Sequence, residues 1–184
     1  MVMMTFFISL ILIILIIYTI AIFNGMIRLK NNIKKSWSNI DVLLKQRYDE
    51  LPKLIDTVKG YMKYERNLFL ELTEARTGFL HANTMSEKAV ADNELSDVLM
   101  NLFAVAENYP KLKANKTFLY LQKRITMLEN EIADRREFYN DSVNIYNIRI
   151  QSFPDLFLAK LFKFKEKERF MAKKFEAKSL KVTI

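Results

Sequence analysis

Cysteine is absent from this 184-residue chain, which excludes disulfide staples, a thiol nucleophile, iron–sulfur clusters and cysteine-ligated zinc. The fold must hold by packing alone. Glycine and proline are nearly as scarce, with three of each, and a many-stranded sandwich or barrel needs far more turn residues than that. A few long helices fit instead. Histidine occurs once, at His81, with no Ser or Asp at a spacing that suggests a triad. The Glu-x-x-His pairs of bundle-type dimetal sites are missing, as is a glycine-rich phosphate loop. Glu71/Glu74 and Glu129/Glu131 read as solvated helix faces. The expectation is a protein that is not an enzyme and takes no cofactor, metal or small-molecule substrate.

Charge is also missing from residues 1–23, MVMMTFFISLILIILIIYTIAIF. At about 1.5 Å per residue they make a helix of roughly 34 Å, enough for a hydrocarbon core of about 30 Å. A cleavable signal peptide would carry Lys or Arg ahead of the apolar run, and Ala21-Ile22-Phe23 is a poor small-residue cleavage site. A retained membrane span is the better fit. The formal net charge of +8 therefore lies wholly after residue 23. Arg28, Lys30, Lys34 and Lys35 precede the first acid, Asp41. That flank predicts a short N-terminus outside, the remainder in the cytoplasm and attraction to anionic lipid.

From Ile33 the apolar positions recur in steps of four and three through Trp37, Ile40, Leu44, Leu51, Leu54, Val58, Tyr61, Leu68, Leu72, Ala75 and Phe79. This is the seam of one long packed helix. Pro52 predicts a kink or tight restart near residues 50–52, because proline removes a hydrogen bond and clashes with the carbonyl four residues back. Residues 78–93 lose the period and read as a connection, with Thr84 and Glu87 spaced as a capping box. A second helix over about 93–108 buries Leu95, Val98, Leu99, Leu102, Phe103 and Ala106 and ends at Tyr109-Pro110. Asn115 then caps a third, carrying Phe118, Leu121, Ile125, Leu128, Ile132, Tyr139, Val143, Tyr146, Ile150 and Phe153. A shorter fourth covers about 155–164. The expected class is all-α: an N-terminal transmembrane helix, then an antiparallel up-and-down bundle of three long helices plus a short fourth. The organisation follows as a span at 1–23, a bundle at 24–164 and a basic tail at 165–184.

Arg47, Glu65 and Arg135 fall at seam positions in these apolar stripes. Snorkelling, or pairing with one another to set register, is preferred over a charge cluster that recognises a ligand. Tyr139, Tyr146 and Phe153, each seven residues from the next, read as core aromatics facing the Trp37–Tyr61 seam. Asn140 and Asn147 lie beside them as polar markers that hydrogen-bond between helices.

The run from Arg28 to Tyr61, RLKNNIKKSWSNIDVLLKQRYDELPKLIDTVKGY, resembles the signature of the LemA family of bacterial membrane proteins. The resemblance continues in Thr73-Glu74-Ala75-Arg76, in AVAENYPKLKAN at 104–115, in the Tyr139-Asn140 and Tyr146-Asn147 pairs and in Gln151-Ser-Phe-Pro154. It marks Trp37, Asp41, Arg47, Tyr48, Pro52, Gly60, Tyr61 and Glu65 as signature positions with structural roles. Glu74, Arg76, Tyr109, Pro110, Arg135, Phe153 and Pro154 join them with the two Tyr-Asn pairs. It implies a single-pass protein with a cytoplasmic helical bundle, in a broad family that includes a magnetosome-membrane protein. Two departures stand out: Tyr64 replaces a histidine common in relatives, and Lys160 and Lys163 occupy a segment where relatives often carry glycine.

Residues 154–184 mix aromatics with lysines in a composition that suits an interfacial helix on an anionic membrane. Lys160, Lys163 and Lys165, with the juxtamembrane Arg28, Lys30, Lys34 and Lys35, are the membrane-contact candidates. Residues 156–164 fit a bundle cap and a membrane contact equally well, and the chain beyond Lys165 reads as a solvated tail. Nucleic acid is disfavoured, since no recognised binding module is present and the membrane is the nearer anionic surface. The leading expectation is a membrane-anchored bundle of the bacterial cytoplasmic membrane that meets a protein partner or its own copies. Direct lipid binding or membrane remodelling is the alternative. Orientation is testable because the chain has no cysteine. A cysteine at residue 2 should react with an impermeant reagent in intact cells and one within 81–90 should not; the reverse pattern overturns the orientation.

Overall fold

Six helices form from these patterns in a computed structural model of the chain, which describes residues 2–170; no strand occurs among the described residues. Helix α1, Val2–Lys59, is a single element of 58 residues. It runs through Pro52 without restarting, so the interruption expected near 50–52 does not divide it. The break falls at residues 60–65 instead. Glycine is a poor helix former, by about 1 kcal/mol against alanine, and α1 stops one residue before Gly60. There Tyr61 N and Met62 N both donate to the Val58 carbonyl at 2.9 Å. The stripe read as one helix from Ile33 to Phe79 therefore belongs to two elements whose apolar phases coincide.

Helix α2 spans Arg66–His81 and α3 spans Met85–Ala106. Only residues 82–84 join them, and the two pack as a hairpin. The predicted connection over 78–93 is thus mostly helix. The capping box does form: Thr84 Oγ1 accepts from Glu87 N at 3.2 Å, and Glu87 Oε2 accepts from Thr84 N at 3.0 Å and Asn83 N at 2.8 Å. Those N–H groups, Thr84's first, hold the Glu87 carboxyl below its usual range. The apolar stripe is too weak at Ala89 and Ala91 to reveal a helix starting eight residues earlier than expected. A single turn, α4 (Pro110–Lys113), precedes α5, Lys116–Gln151. Asn115 caps α5, its Oδ1 accepting from Thr117 N at 2.9 Å and Phe118 N at 3.0 Å. The last helix is α6, Asp155–Leu161.

The described chain forms two compact units, one of residues 2–41 with 133–169, the other of 42–132 with Phe170. In the first, Met26, Ile33 and Ile40 of α1 are buried, as are Tyr139, Val143, Tyr146 and Ile150 of α5 and Ala159 of α6. In the second, Leu44, Leu51, Leu54 and Val58 of α1 are buried, with Leu72 and Phe79 of α2, Leu95, Leu99 and Leu102 of α3, and Ile125 and Leu128 of α5.

The N-terminal part of α1 is different. Its most apolar 18-residue window has a mean hydropathy of 3.0 and is only 6% buried. A core helix of a soluble protein would hide such a surface, because each exposed apolar square ångström costs about 25 cal/mol in water. This is one candidate membrane-spanning segment, long and apolar enough to cross a bilayer.

Helix α6 ends in a Schellman arrangement: Phe164 N donates to the Ala159 carbonyl at 2.9 Å and Lys163 N to the Lys160 carbonyl at 3.2 Å. The geometry puts Lys163 at φ 56°, the left-handed region where a Cβ is crowded. Glycine, without a Cβ, would adopt this conformation more readily. Lys163→Gly should therefore stabilise the protein by about 1 kcal/mol, the left-handed penalty less the extra entropy glycine loses on folding. A thermal melt in detergent should rise by roughly 2–4 °C; an unchanged or lower midpoint would contradict this account.

Candidate functional site

No three His, Asp or Glu side chains gather in a metal-sized group among the described residues. Two polar clusters stand out, one in each unit. In the second unit, Arg47 of α1 is 1% exposed and Asp92 of α3 is 0% exposed. Arg47 Nη1 donates to Asp92 Oδ1 at 2.9 Å and to Ser96 Oγ at 3.0 Å. Glu129 Oε2 of α5 lies 3.5 Å from Nη2, while Nε and Nη2 make no hydrogen bond. Glu129 is therefore more than a solvated face. The next residue, Tyr48, stacks on Phe79 with ring centres 3.8 Å apart and donates from its hydroxyl to the Ala91 carbonyl at 2.9 Å. Adjacent positions of α1 thus engage α2 and α3.

Pairing among Arg47, Glu65 and Arg135 does not occur. Arg47 meets Asp92, Glu65 accepts from the Tyr109 hydroxyl at 2.9 Å, and Arg135 is exposed. The Glu65 carboxylate raises the Tyr109 pKa, because a hydrogen bond to a carboxylate favours the neutral phenol. Sequence periodicity misses Asp92 because the residue falls in the expected connection. Carrying the Leu95–Leu99–Leu102 stripe back one turn would place it on the buried face.

In the first unit, residues 163–169 have no regular secondary structure and lie along α5 under a row of side-chain clamps. The Tyr146 hydroxyl donates to the Lys165 carbonyl at 3.1 Å and the Tyr139 hydroxyl to the Glu168 carbonyl at 3.0 Å. Asn147 grips Lys167 twice at 2.9 Å: Nδ2 donates to its carbonyl and Oδ1 accepts from its N–H. Gln151 Nε2 donates to Glu166 Oε1 at 2.8 Å, and Arg169 Nη2 donates to Asn144 Oδ1 at 2.7 Å. Burial raises the pKa of both clamping phenols, helped for Tyr139 by Glu168, so they keep their protons as donors. Asn147 thus binds a non-helical strap where an interhelical bond was expected. Residues 165–169, read from composition as the start of a solvated tail, are held down through their backbone. The rest of that tail, 171–184, lies outside the described residues.

A glycine completes this end of the unit. A Cβ on Gly25 would sit 2.7–3.0 Å from the Arg149 guanidinium. The absence of a side chain lets Arg149 lie against α1 while its Nε donates to Asp155 Oδ2 at 2.6 Å.

A family model described as the LemA family matches residues 36–184. The chain belongs to the LemA family. Magnetosome protein MamQ 2 of Paramagnetospirillum magneticum is 25% identical over 177 residues, covering 82% of this chain and 65% of the relative. Protein LemA of Metamycoplasma hominis is 28% identical over 131 residues, covering 71% and 60%. A MamQ of Magnetospirillum gryphiswaldense is 23% identical over 177 residues, with 82% and 65% covered. The match thus spans a little under two-thirds of these relatives' length.

The positions read as family signature fall in both units. Trp37 is half-buried with its ring edge-on to Tyr139 at 6.1 Å, whereas Tyr61 is 38% exposed and accepts from Asn115 Nδ2 at 3.0 Å. Asp41, Pro52, Arg76, Tyr109, Asn140 and Pro154 are half-buried, and Gly60, Glu74 and Pro110 are exposed. Phe153 is corrected outright: it is 80% exposed and touches Phe157. Helix α5 ends at Gln151, so the seven-residue step from Tyr146 no longer returns to the same face. Tyr64 is 94% exposed. Arg28, Lys30, Lys34, Lys35, Lys160, Lys163 and Lys165 are all exposed.

Arg47→Met would leave Asp92 buried without its cation, and the expected loss is about 3–5 kcal/mol in denaturant unfolding. Arg47→Met with Asp92→Leu should recover most of that stability, since apolar isosteres need no desolvation. A single-variant loss under about 1 kcal/mol, the size of an exposed pair, would refute the buried-pair account.

Proposed function

We propose that this LemA-family chain is a non-enzymatic, single-span protein of the bacterial cytoplasmic membrane. Its N-terminus lies outside, and its cytoplasmic bundle presents helix surfaces to a membrane-protein partner or to a second copy. In this reading residues 1–23 span the bilayer, 24–164 make an antiparallel up-and-down bundle and 165–184 follow as the basic tail. The observation that carries it is the outward side of α5. Phe138 and Ile145, seven residues apart, are 59% and 56% exposed, and Tyr120 and Met127, also seven apart, are 65% and 45% exposed. Large apolar side chains repeated on one solvated helix face are what a partner helix would cover.

A second reading, lipid binding or membrane organisation, draws support from the clamped basic strap. The magnetosome proteins among the relatives point the same way. Cross-linking in native membranes tests the first. It should give a discrete higher-mass species that Phe138→Ser with Ile145→Ser abolishes, while unfolding stability changes by no more than about 0.5 kcal/mol, as for surface sites. A strict monomer in detergent, with no partner recovered from the membrane, would sink it.

A further inference from the structure

Beside the strap, the first unit contains a cavity of about 420 Å³ lined by Phe23 and Ile27 of α1, by Tyr146, and by Phe162, Phe164 and four lysines. The lysines are Lys30, Lys163, Lys165 and Lys167. Lys163, Lys165 and Lys167 recur at every second residue of the strap, and all three line the cavity. Between them Glu166 is engaged by Gln151. Because Tyr146 and Asn147 hold the strap through the backbone of Lys165 and Lys167, they leave the ammonium groups free. No ion pair satisfies any of the four lysines among the described residues. Four positive charges around one concavity, without a carboxylate in its lining, call for an anion.

The position of the cavity on α1 says which anion. Phe23 ends the apolar run and stacks edge-on with Phe162 at 4.8 Å and Phe164 at 5.9 Å. From Phe23 to Lys30 a helix rises about 10 Å. A headgroup layer outside the hydrocarbon is about 5–8 Å deep. Helix α6 and the turn before it add exposed apolar side chains to the same unit: Phe157 and Leu161 of α6 are 65% and 70% exposed, and Phe153, whose ring meets Phe157, is 80% exposed. A lysine-lined cavity that includes the exposed Phe162 in its wall is what an interfacial lipid contact requires.

We propose that this cavity binds the phosphate-bearing headgroup of an anionic phospholipid, with Lys30, Lys165 and Lys167 as its main cationic contacts. The Tyr146–Asn147 clamp positions the two strap lysines for it. The proposal rests on residues 1–23 spanning a membrane and gives the lipid reading a defined site.

The test uses the full chain purified in mild detergent and incubated with equal phosphatidylglycerol and phosphatidylcholine, with bound lipid read by native mass spectrometry. Phosphatidylglycerol should be retained preferentially at about one per chain. Lys30→Gln/Lys165→Gln/Lys167→Gln should weaken that retention by about fivefold per lysine, on the order of a hundredfold in all. Lys111→Gln/Lys113→Gln/Lys116→Gln removes the same charge from exposed positions of the other unit and should leave retention nearly unchanged. Asn147→Ala, which keeps every lysine, should weaken retention with an unaltered helical circular dichroism spectrum. Equal retention of the two lipids, equal effects of the two triple variants, or displacement by millimolar inorganic phosphate would each overturn the proposal. Alkaline carbonate extraction separates the underlying premise: release from the membrane would refute the span itself, whereas firm integration without headgroup preference would refute only the cavity.

Discussion

A cation that cannot reach water sets the terms for the second unit. A guanidinium is costly to take out of water, so the burial of Arg47 at 1% exposure obliges other elements to bring acceptors to it. Asp92 and Ser96 oblige α3 to lie with that face inward, and Glu129 brings α5 within 3.5 Å. The neighbouring Tyr48 adds α2 through its stack on Phe79. Apolar packing is tolerant of small rotations, whereas a hydrogen bond to a guanidinium is not. The ion pair therefore selects one register from the several that leucine stripes would accept.

The first unit solves a different problem. Residues 163–169 are too polar to bury and too short of partners to fold alone, yet they are held in one conformation. The holding groups are phenols and amides presented at helical spacing along α5, and they bond to backbone atoms. Backbone clamping leaves the side chains of the strap uncommitted. Its lysines thereby remain available as charges while their positions are set, a combination that a free tail could not offer and a helix buried in a core could not either.

The two clusters also explain why the signature residues of a LemA chain look functionally mute in sequence. Several of them bond within the protein. Tyr139, Tyr146 and Asn147 act as clasps, Arg47 and Tyr48 as register devices, and Asn115 as a cap.

Much of this architecture is legible in the amino-acid sequence. The scarcity of glycine and proline determined an all-helical chain, the uncharged N-terminal run determined the candidate span, and the capping box and the Asn115 cap were readable because they depend on local spacing. Helix ends governed by weak signals were not. Alanines at 89 and 91 carry little hydrophobic contrast, and Pro52 proved less disruptive than Gly60 because neighbours along a long helix can absorb one missing hydrogen bond. The partners of Arg47, the outward turn of Phe153 and the strap under Tyr146 and Asn147 depended on contacts between residues far apart in sequence. Periodicity states which face a side chain occupies but not what comes to meet it; only the tertiary structure, by closing those distances, decided that.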